Sequence, residues 1–239
     1  MRKIAIFYHV GQMEGSQWEL LYQEQIHSLV ASGLYGHCDY FHVGINGSYD
    51  LPFTLPKMTT KFNIADHWDC EAETLKSMWK FANRESDWNI LYFHTKGNTW
   101  QTYTDDNAKR INFNVTAWRY FMEYHVIHKW RICQHYLNFY DAVGCDLSQD
   151  GILYYGEDYR NSKPSPNPTY PYFRGNFWWA HGDYIKTLST DFLYDDTNDA
   201  KRYQSERWVG SGGADMFSLK NTGLANLYLE SFLPTDYMD

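Results

Sequence analysis

The tetrapeptide His94-Thr95-Lys96-Gly97 combines residue types that can bind a phosphate group. Lysine supplies a compact positive charge, histidine a proton donor and threonine a hydroxyl. Glycine lets the backbone come close to a ligand. The segment is not a Walker loop, because the GxxxxGK[ST] spacing is absent. Taken alone, it is also compatible with a polar β-turn that exposes its lysine. Its position in the fold is needed to distinguish a phosphate site from such a turn.

A second segment, Arg174-Gly175-Asn176-Phe177-Trp178-Trp179-Ala180, joins a Gly-Asn pair to three consecutive aromatic residues. Because neighbouring strand residues point to opposite faces, one tryptophan is expected to enter the core while the other faces outward. An exposed indole beside Asn176 would form a shelf for a sugar ring. The alternative is an edge strand packed beneath the proline-rich segment that precedes it.

The composition narrows the class of protein. Aromatic residues make up 19% of the chain, with 10 Trp and 21 Tyr, which suits surfaces that stack on sugars or bases, although a Trp-rich core would also explain it. The formal net charge is -8, and no basic run exceeds two residues, so a nucleic-acid partner is disfavoured. The four cysteines form no CxxC pair and are expected to be free thiols.

The N-terminus is expected to be a buried strand and not a signal peptide. Its apolar stretch stops at His9, and no small-residue cleavage site follows. No apolar run approaches the roughly 20 residues that a membrane helix needs. We therefore expect a soluble protein in the cytoplasm, or in the host cytoplasm if the source is viral.

The elements that would position both motifs alternate between strands and helices in the first half of the chain. We predict strands at Lys3–Val10, Cys38–Gly44 and Asn89–Phe93, helices at Trp18–Val30 and Cys70–Ala82, and a loop at Leu51–Thr60. Alternation of this kind implies βαβ crossovers. The predicted fold class is α/β, with a mixed, mostly parallel sheet flanked by helices.

In the second half, the clearest element is one long helix whose apolar residues, from Val115 to Leu137, recur at steps of three and four. The other predictions are an extended segment Tyr140–Leu147, a loop Ser162–Tyr172, a strand Phe177–Ala180 and helices at Asp183–Leu188 and Lys201–Val209. No repeat or flexible linker is evident. We predict a single domain over residues 1–239.

This topology places the first motif at a ligand site. In open parallel sheets, ligands bind outside the carboxyl ends of the strands. Tyr8-His9-Val10-Gly11 and His94-Thr95-Lys96-Gly97 should therefore be neighbours across one crevice.

The set Tyr92-Phe93-His94-Thr95-Lys96-Gly97, Trp118-Arg119, Tyr140-Asp141-Ala142-Val143-Gly144 and Gly175-Asn176-Phe177-Trp178-Trp179-Ala180 resembles a family of small glycosyltransferases. That family is found in chlorella viruses, algae and bacteria and is similar to the GT-A fold. The match runs from the first strand to about Trp208. The resemblance implies a hexosyl- or pentosyltransferase that moves a sugar from a nucleotide-diphosphate sugar, UDP-sugar being favoured, to a hydroxyl of an oligosaccharide or glycoprotein glycan.

The resemblance also implies a division of the chain and a set of donor residues. Residues 1–110 would form the nucleotide-sugar-binding half and residues 111–239 the acceptor-binding half. The donor candidates are Tyr8, His9, Val10, Asp69, Glu73, His94, Lys96, Gly97 and Arg119. Asp69 is equally explained as a helix N-cap, and Arg119 by a buried ion pair with Asp141. The acceptor candidates are Gly175, Asn176, Trp178 and Trp179.

The chain departs from the GT-A pattern at the metal site. The Asp-x-Asp motif that such enzymes usually carry is absent where His94-Thr95-Lys96 stands. His94 and Lys96 could neutralise the leaving diphosphate instead. Asp105-Asp106 or Glu157-Asp158 could still recruit Mn²⁺ or Mg²⁺, so metal dependence is open.

An inverting transfer needs a carboxylate base near the acceptor hydroxyl. The order of motifs in the family points to Glu206, with Asp158 as the second candidate. Glu206 could equally be a surface residue paired with Arg202, and Asp158 could equally be a turn residue. A reaction that retains the anomeric configuration is also open.

Two other functions compete with the transferase. One is a non-catalytic glycan-binding protein that uses the aromatic shelf, and the other, less strongly supported, is a phosphohydrolase.

Overall fold

A computed structural model of the chain describes residues 2–63, 71–102, 104–148, 170–191 and 204–238. The strands in these ranges are β1 (Lys3–Gly11), β2 (Tyr40–Asn46), β3 (Met58–Asn63), β4 (Trp88–His94), β5 (Ala142–Gly144), β6 (Leu147–Ser148), β7 (Tyr172–Phe173), β8 (Trp178–His181) and β9 (Met216–Ser218). The α-helices are α1 (Trp18–Ala31), α2 (Leu34–His37), α3 (Ala72–Arg84), α4 (Asp106–Glu123), α5 (Trp130–Tyr136) and α6 (Gly182–Ile185).

Seven strands form one sheet in the order β3-β2-β1-β4-β8-β5-β9, and β6 pairs with β7 in a separate ribbon. The first four strands of that order run parallel to one another. Strand β8 runs antiparallel to both β4 and β5, and β9 runs parallel to β5. The predicted fold class, a mixed and mostly parallel sheet flanked by helices, is therefore confirmed.

Each face of the sheet carries its own apolar core. On one face, Tyr8 and Trp179 pack with the apolar side of α1, α4 and α5. On the other, Phe7 and Trp178 pack with α3 and α6. Because successive strand residues alternate between faces, a strand buried on both sides has an unbroken apolar sequence, as Ile90 to Phe93 does.

The predicted loop Leu51–Thr60 is wrong at its end, where β3 begins at Met58. Within the described residues, β3 is an edge strand whose one partner is β2. Its residues from Thr59 to Phe62 are exposed, so no alternation of apolar and polar residues marks it as a strand.

The predicted long helix is divided into three parts. Helix α4 begins after Asp105, whose carboxylate accepts a hydrogen bond of 2.9 Å from the Ala108 amide. A π-helical segment, Tyr124–His128, separates α4 from α5, and the Lys129 amide donates to the Tyr124 carbonyl. A single wider turn shifts the apolar stripe too little to appear in a pattern of threes and fours.

The remaining elements lie close to their predicted positions. The predicted strand Phe177–Ala180 corresponds to β8, and the predicted helix Asp183–Leu188 overlaps α6. Residues 204–207 are helical and lead into a 3₁₀ turn, Trp208–Gly210, while residues 201–203 and 162–169 lie outside the described ranges. In the part of the chain that is described, no helix is both long and apolar enough to span a bilayer.

Candidate functional site

The ends of β1 and β4 meet as predicted. His9 and His94 are partners in the register of the two strands. The Thr95 amide donates to the His9 carbonyl at 3.0 Å, and the Gly11 amide donates to Thr95 Oγ1 at 3.0 Å. Nδ2 of the Asn98 side chain also donates to the Gly11 carbonyl. These bonds fix the loop after β4 against the end of β1.

Lys96 presents a positive charge at this edge of the sheet. Its Nζ lies 4.1 Å from the centre of the Trp118 indole and 5.9 Å from the Tyr228 ring. Among the residues described, no carboxylate lies within 4.0 Å of that nitrogen. A cation–π contact holds an ammonium group in place without neutralising it. The Lys96 charge is therefore available to an anion.

Two buried polar atoms beside Lys96 have no hydrogen-bond partner in the described part of the chain: Nε1 of Trp118 and Oδ1 of Asn98. Both residues are buried, with 5% of the surface of each exposed. Unsatisfied polar atoms are rare in buried positions and often mark a site for a ligand or water. The Trp118 indole lies beside the Lys96 ammonium, so its N–H is a donor that suits an anionic ligand, whereas Asn98 Oδ1 accepts and suits a hydroxyl.

Gly97 brings the backbone close to α4. Its φ angle is +95°, and a Cβ atom there would lie 2.9 Å from Cγ1 of Val115. Only glycine adopts this conformation and this approach without strain. The glycine of the predicted phosphate motif is thus required by the fold in addition to any role toward a ligand.

A polar cluster that the sequence did not predict is centred on Glu71, which directly precedes α3. Its Oε2 accepts a hydrogen bond of 2.8 Å from the Tyr92 hydroxyl and another from Nδ2 of Asn176. Its Oε1 lies 3.5 Å from Nδ1 of His94, and each of these two side chains is 12% exposed. Nε2 of His94 donates to the Gly175 carbonyl at 2.9 Å.

The Gly175–Asn176 turn is entirely internal. Both residues have positive φ angles, +85° and +62°. The Asn176 side chain is fully buried, and its Oδ1 accepts from Nε1 of Trp178 at 2.7 Å. Its amide is therefore satisfied by protein groups, and the turn shapes the site from below the surface.

The predicted aromatic shelf is wrong, because Trp178 and Trp179 are both 0% exposed. The two indoles do point to opposite faces of the sheet, but each face is covered. Trp179 donates to the Val126 carbonyl at 2.8 Å, so its polar edge is also satisfied. Antiparallel pairing on both sides makes β8 a central strand and not an edge strand.

At the end of β1, only His9 brings a polar side chain near the cluster. Tyr8 and Val10 are 0% exposed, and the Tyr8 ring stacks on Phe93 at 4.3 Å. Nδ1 of His9 lies 2.9 Å from Oγ1 of Thr74. Burial, with a further contribution from the charge of His94, lowers the pKa of His9 to about 4, against an opposing effect of Glu71. His9 is therefore neutral at physiological pH.

Arg119 is buried behind the strand ends. It pairs with Glu24 at 2.8 Å and with Glu123 at 3.4 Å, and not with Asp141. Gln25 donates to Glu123 at 2.9 Å and to the His94 carbonyl at 3.1 Å. The guanidinium thus supports the end of β4 through this network, and its predicted role in donor binding stays a prediction.

The predicted carboxylates lie in different surroundings. Glu73 pairs with Lys76 at 2.6 Å and Lys61 at 3.5 Å. Burial alone would raise the pKa of Glu73, but the two lysines outweigh it and lower that pKa. Asp69 and Asp158 lie outside the described residues.

Glu206 is half-buried in the helical residues 204–207. The carbonyl of its neighbour Ser205 lies 3.5 Å from Nδ2 of Asn176. Burial, followed by the negative charge of Glu206, raises the pKa of Tyr172. The structure therefore brings the chain segment of Glu206 to the cluster, whereas Asp158 lies outside the described residues.

The question of a metal ion is untested. Within the described ranges, no group of three or more His, Cys, Asp or Glu side chains is arranged to hold one. Asp105 caps α4, and Asp106 pairs with Lys109 at 3.0 Å on the surface. Glu157 lies outside the described residues.

Glu71 was missed because no motif surrounds it. Two general rules could have pointed to Glu71. The helix dipole favours a carboxylate at the N-terminus of a helix. In addition, the helix that leads into β4 begins at the carboxyl edge of the parallel sheet, where ligands bind. Sequence alone does not show that Glu71 faces Tyr92, His94 and Asn176. Nor does it show that Glu73 faces Lys61 and Lys76.

No protein-family model matches this chain, and no curated protein sequence matches it either. A search of solved structures found a crystal structure of 4-diphosphocytidyl-2C-methyl-D-erythritol synthase. The alignment covers 99% of this chain and 95% of that chain, with 10% identity and a TM-score of 0.41. A TM-score this low carries no argument about the activity of this chain.

Proposed function

We propose that this protein is a GT-A-type glycosyltransferase that moves a sugar from a nucleotide-diphosphate sugar to a glycan hydroxyl with inversion. The observation that best supports the proposal is Lys96. Its ammonium group stands at the carboxyl end of a parallel strand, over the Trp118 indole, with no carboxylate within 4.0 Å among the described residues. That edge of the sheet is where ligands bind in folds of this class.

The proposed role of Lys96 is to stabilise the charge that develops on the leaving diphosphate. A fixed cation in a partly dry site stabilises such charge more strongly than it would in water. The glycine that follows lets the phosphate approach the backbone. The Trp118 Nε1–H has no acceptor among the described residues, and a phosphate oxygen would supply one.

The proposed base is Glu206. It would take the proton of the acceptor hydroxyl as that oxygen attacks the anomeric carbon from the face opposite the diphosphate. Glu206→Gln should leave nucleotide binding unchanged and reduce sugar transfer by roughly 100-fold or more. Glu19→Gln, an exposed residue on α1, is the matched control. Near-normal transfer by Glu206→Gln would remove this assignment.

The competing idea of a glycan-binding protein loses its main support. It depended on an exposed indole in the Gly-Asn-aromatic strand, and both indoles are buried. The described residues therefore support the transferase proposal better than the glycan-binding one.

The proposal is tested by thermal unfolding with UDP-, GDP-, ADP- and dTDP-sugars, each with Mn²⁺ or with EDTA. A ligand present at about 100 times its dissociation constant should add roughly 2.7 kcal/mol to the free energy of unfolding. Stabilisation by one class of nucleotide sugar, followed by release of its nucleoside diphosphate with a glycan acceptor, is the expected result. No stabilisation by any donor, with or without metal, would contradict the proposal.

A further inference from the structure

Glu71 is a carboxylate that the fold holds at the edge of the cleft without a lysine or arginine. Among the described residues, no lysine or arginine lies within 4.0 Å of it. Its Oε2 accepts from two neutral donors, the Tyr92 hydroxyl and the Asn176 amide. A largely buried carboxylate needs a compensating charge or several hydrogen bonds to stay ionised. The cationic candidate within reach is His94, 3.5 Å from Oε1.

The His94 ring faces an acceptor on each side. Its Nε2 lies 2.9 Å from the Gly175 carbonyl, which can only accept, so Nε2 carries a hydrogen. Its Nδ1 faces the Glu71 carboxylate. The doubly protonated ring is the form that offers a hydrogen to both groups, and a nearby carboxylate favours that charged form.

Three other polar or charged groups near His94 within the described residues have contacts of their own. His9, its partner on β1, directs Nδ1 to Thr74 and is neutral because burial lowers its pKa to about 4. Lys96 lies two residues further along the chain, with its ammonium over Trp118. The Tyr92 hydroxyl donates to Glu71 and is uncharged at neutral pH.

We infer that Glu71 is a positioning residue of the proposed transferase, which fixes the Gly175–Asn176 turn and keeps His94 protonated beside Lys96. The Glu71 carboxylate balances the imidazolium charge, and both His94 ring nitrogens face protein acceptors, so Lys96 remains the uncompensated cation at this strand end. Glu71 acts through His94 and Asn176 and does not itself need to touch the ligand. The effect on diphosphate binding rests on the proposed function, whereas the Glu71–His94 pairing does not.

Glu71→Gln separates the charge of Glu71 from its hydrogen bonds. The amide oxygen of glutamine can still accept from Tyr92 and Asn176, so the turn is retained, but no negative charge faces His94. Glu71→Ala removes both contributions. Glu85→Gln, at the exposed C-terminal cap of the same helix, is the matched control.

The experiment is an NMR pH titration of the His94 ring in ligand-free protein, with UDP affinity measured across the same pH range. In Glu71→Gln, the titration midpoint of His94 should fall by about one pH unit or more, a tenfold loss of proton affinity. Because the losses of the Glu71 charge and of the His94 proton cancel, UDP affinity near neutral pH should stay close to that of the wild type. As the pH is lowered and His94 regains its proton without a carboxylate partner, UDP should bind to this variant roughly tenfold more tightly than to the wild type. Glu85→Gln should match the wild type in both readouts.

An unchanged His94 midpoint in Glu71→Gln would overturn the inference. So would UDP affinity equal to that of the wild type at every pH. If the wild type binds no nucleoside diphosphate, the proposed function fails and the diphosphate role of His94 fails with it. The titration still decides in that case whether Glu71 holds the His94 proton.

Discussion

The turn beneath the site leaves no room for a side chain at Gly175. A Cβ atom there would lie 2.4 Å from Sδ of Met122 and 2.9 Å from the Trp118 ring, at a φ angle of +85°. Gly175→Ala should therefore destabilise the protein by about 2–4 kcal/mol, from overpacking and backbone strain together. Urea unfolding measures this change.

Gly213 provides the control for the backbone contribution. It has a similar φ angle of +73°, but no atom of the described residues lies within 4 Å of a Cβ atom placed there. Gly213→Ala should cost about 1 kcal/mol, from the left-handed conformation alone. Equal losses at the two positions would show that crowding against α4 contributes nothing at Gly175.

Residue types alone predicted the strand-end motif and failed at the tryptophans. His94 to Gly97 could be placed because a buried strand ends where polar residues begin. The exposure of Trp178 and Trp179 depends on whether β8 is central or at an edge, which is decided by β5, a strand of three residues. No local pattern carries that information, and the same holds for the inward direction of Glu71.

Between α1 and α4, a buried charged network supports the end of β4. Arg119 is 4% exposed and holds Glu123, which is 5% exposed. Burial raises the pKa of Glu123, and the Arg119 charge acts against that rise. Arg119→Ala would leave a buried carboxylate without its cation and should cost about 3–5 kcal/mol.

Arg110→Ala is the matched control on the same helix, since that guanidinium contacts only Asn107 on the exposed face among described residues. It should change stability by less than about 0.5 kcal/mol. Chemical denaturation of both variants gives the comparison. A loss at Arg119 no larger than at Arg110 would mean that the network carries little energy.

Elements with a continuous apolar stripe were predictable, and elements at the margins of the sheet were not. Helix α1 and strands β1 and β4 lie within a few residues of their predicted bounds because burial on a fixed face imposes a period. Strands β3 and β9 were missed since one is an exposed edge and the other has only three residues. Their pairing is set by the neighbouring strand.

Across the whole molecule, acid should weaken the fold through histidines that are buried without a charge. Burial, with a smaller effect of Lys61, lowers the pKa of His42 to about 4. In the unfolded chain a histidine titrates near 6.5. Between these values the unfolded state binds a proton that the native state does not, so stability falls as the pH falls.

For His42 alone, the loss from about pH 7.5 to about pH 5 should be roughly 2 kcal/mol. The ring contacts Phe7, at 5.3 Å between centres, and its Nε2 has no hydrogen-bond partner among the described residues, so His42→Phe should be tolerated. Urea unfolding at both pH values should show a smaller acid-induced loss in that variant. An identical loss in the two proteins would contradict the prediction.

At the same scale, the sheet joins both halves of the chain. Strand β8 pairs with β4, so the Gly175–Asn176 turn that precedes β8 is held beside the end of β4. The cluster of Glu71, His94 and Asn176 therefore exists only in the assembled sheet. The resemblance and the topology predicted that these motifs serve one site, but not which atoms meet.

The central claim is that the end of β4 binds a nucleoside diphosphate through Lys96. Calorimetric titration of UDP into the wild type, Lys96→Ala and Lys109→Ala tests it most directly; Lys109 is a surface lysine on α4 that pairs with Asp106. Loss of a charged hydrogen bond should weaken binding by about 10- to 100-fold in Lys96→Ala, with Lys109→Ala unchanged. Equal affinity in all three proteins, or no binding by the wild type, would contradict the account.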